Sequence, residues 1–141
     1  MAEVDPLGSL PSWLLSRAGV RAHRILQRRF DAIGFTGYES RVLAALNAAG
    51  PQSQAQIGRA VSLDRRDVTH TVRRLEERGF VERTRHAVDG RLAIIQLTAA
   101  GRRAWPRVAD AMQQVQDELL ADLTAKERTQ FVALLERVAG E

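Results

Sequence analysis

Residues 64–98 read DRRDVTHTVRRLEERGFVERTRHAVDGRLAIIQLT, and a change of hydrophobic period within them decides the fold. Over residues 64–78, Val68, Thr71, Val72 and Leu75 recur at the i, i+3/i+4 spacing that lays one buried stripe along a helix. Arg65, Arg66, Thr69, His70 and Arg73 fall on or beside the opposite face. Gly79 follows the last periodic residue, where a left-handed residue ends many helices. Beyond it the period becomes two, with Phe80, Glu82 and Thr84 alternating with Val81, Arg83 and Arg85. Residues 92–98 are rich in leucine and isoleucine. Asp89-Gly90 between the two runs signals a hairpin turn, because glycine accepts positive φ without steric cost. The stretch predicts a basic helix followed by a β-hairpin with His86, Asp89 and Arg91 at its tip.

Just upstream, Ser53 and Gln56 make a capping box that opens a short helix through Val61, with Ile57, Ala60 and Val61 inward. Ser62-Leu63-Asp64 is the turn, and Asp64 caps the basic helix, with Asp67 a stabiliser of its first turn. Two short helices joined by a tight turn, the second carrying exposed polar and basic side chains, form the helix-turn-helix signature. A helix about 10–12 Å wide fits the major groove of B-DNA. The hairpin would then be a wing whose arginine reaches the narrow, electronegative minor groove.

Outward from this unit the chain is helical. Thr36 and Glu39 form another capping box, opening a helix over residues 37–49 with Tyr38, Val42, Leu43 and Leu46 inward, stopped by Gly50-Pro51. The first helix, capped by Ser9 or Ser12 with Pro11 in its first turn, carries Leu14, Ala18, Ala22, Ile25 and Leu26 as far as about Phe30. Its Arg17, Arg21, Arg24 and Arg28 form a basic row, either a solvated face or a contact for a ligand acid or phosphate. After Thr98, with Gly101 in the first turn, the stripe Trp105, Val108, Met112, Val115 and Leu119 runs to about Leu123; Pro106 should kink it or mark its true start. Thr124 and Glu127 make a third capping box, opening a last helix over residues 125–139 that buries Phe131, Leu134, Leu135 and Val138. Long amphipathic helices outside a compact head usually find a partner helix. A dimer built from the first and last two helices follows, with Trp13, Leu14, Val115, Leu119, Phe131, Leu134 and Leu135 at its interface.

The bulk composition agrees. A length of 141 residues suits one domain, 45% hydrophobic and 27% charged residues suit a soluble core, and no apolar run approaches the ~20 residues of a membrane span. The start of the chain lacks a basic segment followed by an apolar one, so no secretory signal and a cytoplasmic location are expected. The absence of cysteine excludes disulfides and thiol chemistry. Residues 1–107 hold 18 Arg against 10 acidic groups, whereas residues 108–141 hold 3 basic groups against 7 acidic ones, so a body of +8 precedes a tail of −4. That placement points to a polyanion partner for the body. Phosphate-loop, dinucleotide, Gly-x-Ser-x-Gly and His-Glu-x-x-His patterns are all missing, so no enzyme is expected. His23, His70 and His86 lack ligand spacing, so neither a metal nor any other cofactor is expected. A winged helix used only for protein interaction or architecture is the alternative, disfavoured by the basic helix and the wing arginine.

Residues 74–83 (RLEERGFVER), Asp89-Gly90-Arg91 and residues 97–101 (LTAAG), in this order and spacing, resemble the MarR family of bacterial transcriptional regulators over about residues 12–139. The resemblance implies a mainly α fold with a small β-hairpin, one domain over residues 1–141. Its winged helix-turn-helix spans about 35–98, and its dimerisation helices about 9–32 and 99–139. It implies a homodimeric, sequence-specific regulator, expected to be a repressor, on a palindromic operator in double-stranded DNA. A small-molecule effector, often phenolic or another anionic aromatic, would release it. By position, Arg65, Arg66, Thr69, His70 and Arg73 lie on the recognition helix and Ser53 and Gln54 where the family meets backbone phosphate. Arg91 resembles the minor-groove arginine and Asp89 the acid that steadies nearby cations; Arg83 and Arg85 complete the expected DNA-facing set. Gly90 departs from the family's usual arginine, and His70 stands where many members have arginine. Arg74 and Arg78 are expected to pair with Glu77 and Glu82. Trp13, Arg17, Phe30, Phe35 and Trp105 would suit an aromatic acid as effector, or serve as core and interface.

Overall fold

The computed structural model describes residues 3–140. In chain order it holds α1 (Pro11–Asp31), α2 (Gly37–Ala49), α3 (Gln54–Val61), α4 (Arg65–Glu77), β1 (Val81–Arg85), β2 (Ala93–Leu97), α5 (Ala99–Leu119) and α6 (Ala125–Ala139). This is a mainly α chain with one two-stranded sheet. Local chemistry sets most boundaries. Thr36, Ser53 and Thr124 each close a capping box with Glu39, Gln56 and Glu127, and Asp64 and Thr98 accept from the backbone N–H three residues on. α1 differs: Leu10 precedes the first turn without a side-chain cap, and Pro11 itself opens the helix, its fixed φ replacing the serine cap expected there. α5 runs through Pro106 and ends at Leu119, short of the expected Leu123.

The core joins the head to α5. Val42 and Leu43 of α2, Ile57 of α3, Val68, Val72 and Leu75 of α4, Ile95 of β2 and Val108 of α5 all pack into one cluster. Two expected inward residues are not there. Tyr38 faces out with Arg41 over its ring, because the stripe of α2 runs Glu39, Val42, Leu43, Leu46. Ala60 is exposed and Gly58 takes the buried position on α3.

β1 pairs antiparallel with β2 from Val81↔Leu97 to Arg85↔Ala93. A further bridge, invisible in the sequence, adds Gln52: its N–H donates to Ile95 O at 3.0 Å and its C=O accepts from Ile95 N at 2.7 Å. The Gln52 side chain, nearly buried, donates to Ala45 O and Gly50 O, so the residue after Gly50-Pro51 stitches the end of α2 to the wing. Gly101 marks the other tight contact, since a Cβ there would lie 2.1 Å from Phe80 O.

α1 packs along α5. Part of the basic row on α1, with the neighbouring Arg29, clamps the end of α5: Arg21 donates to Leu119 O and Glu118 O, and Arg28 and Arg29 both pair with the Glu118 carboxylate. α6 is held at its start by Arg128, which donates to Leu120 O, Leu123 O and Asp117. None of its residues is buried, so the expected burial of Phe131, Leu134, Leu135 and Val138 does not occur within one chain. Val115, by contrast, is buried inside the protomer and offers a partner almost no surface, which removes it from the expected interface. No helix among the described residues is long and apolar enough to cross a membrane.

Candidate nucleic-acid interface

The inner stripe of α4 is wholly buried, which leaves its outer face fixed in direction. The turn that delivers it is tight. A Cβ on Gly58 would meet Leu63 O at 2.9 Å and Val68 Cγ2 at 3.2 Å, and Ser62 adopts a left-handed φ of 54°. On the outer face Arg65, Arg66, Thr69, His70 and Arg73 line one shallow open groove, so the five recognition-helix residues stand together. Among the described residues, the side chains of Arg65, Arg66, His70 and Arg73 make no hydrogen bond or ion pair. Their cationic and hydrogen-bonding groups are free for phosphates and base edges.

Thr69, Gln54 and Arg83 form a chain of contacts beside this groove. Thr69 Oγ1 donates to Arg65 O at 2.8 Å. With that proton committed, the Gln54 side-chain amide donates to Thr69 Oγ1 at 3.0 Å, and its carbonyl accepts from Arg83 Nη1 and Nη2 at 3.2 and 3.3 Å. Arg83 Nε also lies 3.6 Å from Glu76 Oε2. Two residues expected to touch DNA thus brace the helix-turn-helix against the wing. Ser53 spends its hydroxyl on the cap of α3, accepting from Gln56 N. Ser53, Gln54, Arg65, Arg83 and Arg91 nevertheless line one crevice of about 600 Å³ between α3, α4 and the wing, together with Arg59. Arg59 is not among the residues expected from the sequence; its place on the same short helix as Gln54 was the available signal.

At the wing tip the turn closes through Leu92 N donating to Asp89 O at 3.0 Å, and Gly90 does not take a positive φ. The side chains do the work expected of glycine. His86 Nδ1 accepts from Val88 N and Asp89 N at 3.1 and 2.9 Å, and Asp89 Oδ1 accepts from Arg91 N at 3.1 Å and Arg91 Nε at 3.3 Å. Arg91 is 93% exposed, held by Asp89 yet open to solvent. Arg85 is exposed and shares a face of β1 with Arg83 by strand alternation.

The expected pairing of Arg74 and Arg78 with Glu77 and Glu82 does not form. Among the described residues Arg74 has no acidic partner, and Arg78 reaches back to Glu39 of α2 instead. Gly79, at φ 81°, follows Arg78, the C-cap residue, as the stop of α4.

A family model described as MarR family matches residues 33–92, from just after α1 into the wing. YwhA of Bacillus subtilis, an HTH-type transcriptional regulator, is 31% identical over 98 residues, which make up 70% of each chain. The PcaV transcriptional regulator from Streptomyces coelicolor, in complex with its natural ligand, is 32% identical with a TM-score of 0.83, covering 99% of this chain and 97% of that one. The chain belongs to the MarR family. The transcriptional repressor CouR, bound to a 23-mer DNA duplex, is similar over 98% of this chain and 99% of its own, at 25% identity and a TM-score of 0.88.

The aromatic and basic residues expected to hold an effector do not share one cavity in this MarR-family chain. Trp13 and Arg17 line an open groove on α1 with Arg21 and Arg24. Phe30 and Phe35 are core residues, 2% and 3% exposed, and Trp105 packs half-buried against the same core. Phe30 and Phe35 are therefore corrected from ligand wall to structural filling: both rings are buried in the core cluster of the protomer.

Proposed function

We propose that this MarR-family regulator is a cytoplasmic homodimeric repressor that reads a palindromic operator with α4 and its wing. A small aromatic or anionic molecule releases it. One observation carries the reading. Four uncommitted groups, Arg65, Arg66, His70 and Arg73, share one open face of a helix whose rear stripe is sealed in the core. The DNA duplex on CouR and the natural ligand on PcaV support it by similarity.

The dimer reading narrows to surfaces that one chain leaves bare. Leu10, Leu14 and Leu15 at the start of α1 and Leu134 and Val138 on α6 are exposed, with Phe131 and Leu135 half-buried beside them. Apolar area of that extent on the two terminal helices favours a second copy as its cover. The winged helix-turn-helix of about residues 35–98 then serves as the reading head, and about residues 9–32 and 99–139 as the clamp. For the effector, Trp13 and Arg17 remain the best-placed pair, an indole and a cation on one groove at the edge of that clamp.

Fluorescence anisotropy against duplexes from the promoter beside the coding gene tests the reading. Expected is binding to a near-palindrome with half-sites about one helical turn apart, weakening steeply with salt. Absence of any retained duplex at low salt would overturn it in favour of an interaction module.

A further inference from the structure

Thr69 is the one side chain with a methyl group in the row Arg65, Arg66, Thr69, His70 and Arg73. A threonine on a helix divides between two χ1 rotamers, because its hydroxyl can bond the carbonyl one turn back or turn away. Here that choice is locked. The hydroxyl proton goes to Arg65 O, the oxygen accepts from the Gln54 amide, Gln54 is oriented by both Arg83 Nη groups, and Arg83 leans on Glu76. The hydroxyl proton and the lone pair that Gln54 engages therefore both point into the protein. What Thr69 has left to present to the groove is its Cγ2 methyl. Only one base carries a matching apolar group on its major-groove edge: thymine, through its C5 methyl.

We propose that Thr69 reads a thymine methyl in each half-site, and that Gln54 and Arg83 are positioning residues that keep the Thr69 methyl turned outward. This rests on the reading of α4 as the groove-entering helix, and the test separates the two. The full-length chain first selects its preferred duplexes from a random pool. Each dT of the selected site is then replaced by dU, which deletes the methyl and nothing else.

For the wild type, one dT per half-site should respond to replacement with roughly a three- to tenfold loss, the scale of one buried methyl contact. Thr69→Ser keeps the hydroxyl bonds and deletes the methyl, so it should bind dT and dU equally at that position while the other positions respond as before. Thr69→Val keeps a methyl and gives up the hydroxyl, and should retain the dT preference. Gln54→Ala should reduce the dT/dU ratio at that position alone, which a general loss of stability would not do. A selected site in which no dU replacement matters, a Thr69→Ser variant that keeps the full ratio, or a Thr69→Val variant that loses it would each overturn the proposal. Failure to select any duplex would instead bring down the operator reading, and this inference with it.

Discussion

Arg78 Nη1 donates to Glu39 Oε2 across 2.7 Å, pinning the C-terminal end of the recognition helix to the first turn of α2. The pin is reinforced on every side. Arg78 Nη2 donates to Gly34 O at 2.7 Å, and the guanidinium lies 4.8 Å from the Phe35 ring centre and 5.1 Å from that of Phe80. Glu39 is 1% exposed, and its second oxygen accepts from Thr36 N as the capping box requires. Arg78→Ala strands a buried carboxylate. It should cost about 2–3 kcal/mol, below the full penalty for a buried pair because a third of Arg78 meets water. Glu39→Gln keeps the cap and should cost less. Denaturant melts that rank the two the other way would contradict this account.

Gly101→Ala should destabilise by about 2 kcal/mol or more, because the new methyl would overlap Phe80 O, a backbone atom that cannot swing aside. Gly90→Ala, at a glycine with open space around it and no positive φ, should leave the melting temperature nearly unchanged. Thermal unfolding of both variants checks the contrast.

The Glu118 carboxyl is held below its ordinary value of 4.5, first by its hydrogen bond from Arg28, which outweighs the opposing effect of burial, and then by the charges of Arg28 and Arg29. A carboxyl with a lowered folded-state pKa favours the fold above its unfolded value, and that contribution disappears as pH falls through the folded one. Glu118→Gln should therefore lower the melting temperature at neutral pH, with the gap to wild type closing as pH drops below 4.5. A gap that is constant with pH would show that the clamp on α5 does not act through charge.

Arg91→Ala should weaken binding to all duplexes and reduce the salt slope by about 1, since a wing cation in the minor groove mainly displaces counterions. Arg66→Ala and His70→Ala should in addition change which sequences are preferred. Uniform losses for the two helix variants, measured across a panel of single-base operator changes, would assign them to phosphate contact alone.

Light scattering should give a mass near twice 15.7 kDa. Leu134→Glu places a charge on the bare face of α6 and should yield a folded monomer with much weaker operator binding. Val115→Ala deletes buried protomer packing and should lower stability without dissociating the pair.

The reading head was largely legible in the residue order. Two capping boxes, the buried stripe of α4, Gly79 as its stop and the two-residue period of β1 are local signals, each complete within a few neighbours. So was the grouping of Arg65, Arg66, Thr69, His70 and Arg73, which helical phase alone puts on one face. The wing tip was only half legible. The turn falls where Asp89-Gly90 predicts it, but His86 and Asp89 side chains close it, and a side chain's choice of acceptor is not written in its spacing.

By itself, the sequence determined the helices, the caps of all but α1, the hairpin and the basic face of α4, because period and capping act over one or two turns. Tertiary structure alone decided that Arg78 answers Glu39 rather than its nearer acids, that Gln52 joins the sheet through Ile95, and that Gln54 and Arg83 serve Thr69. It also decided which half of each amphipathic stripe the protomer consumes, burying Val115 and leaving Leu134 bare. The physical reason is common to all four. Each is a competition among partners far apart in the chain, won by whichever group the packed backbone brings within reach.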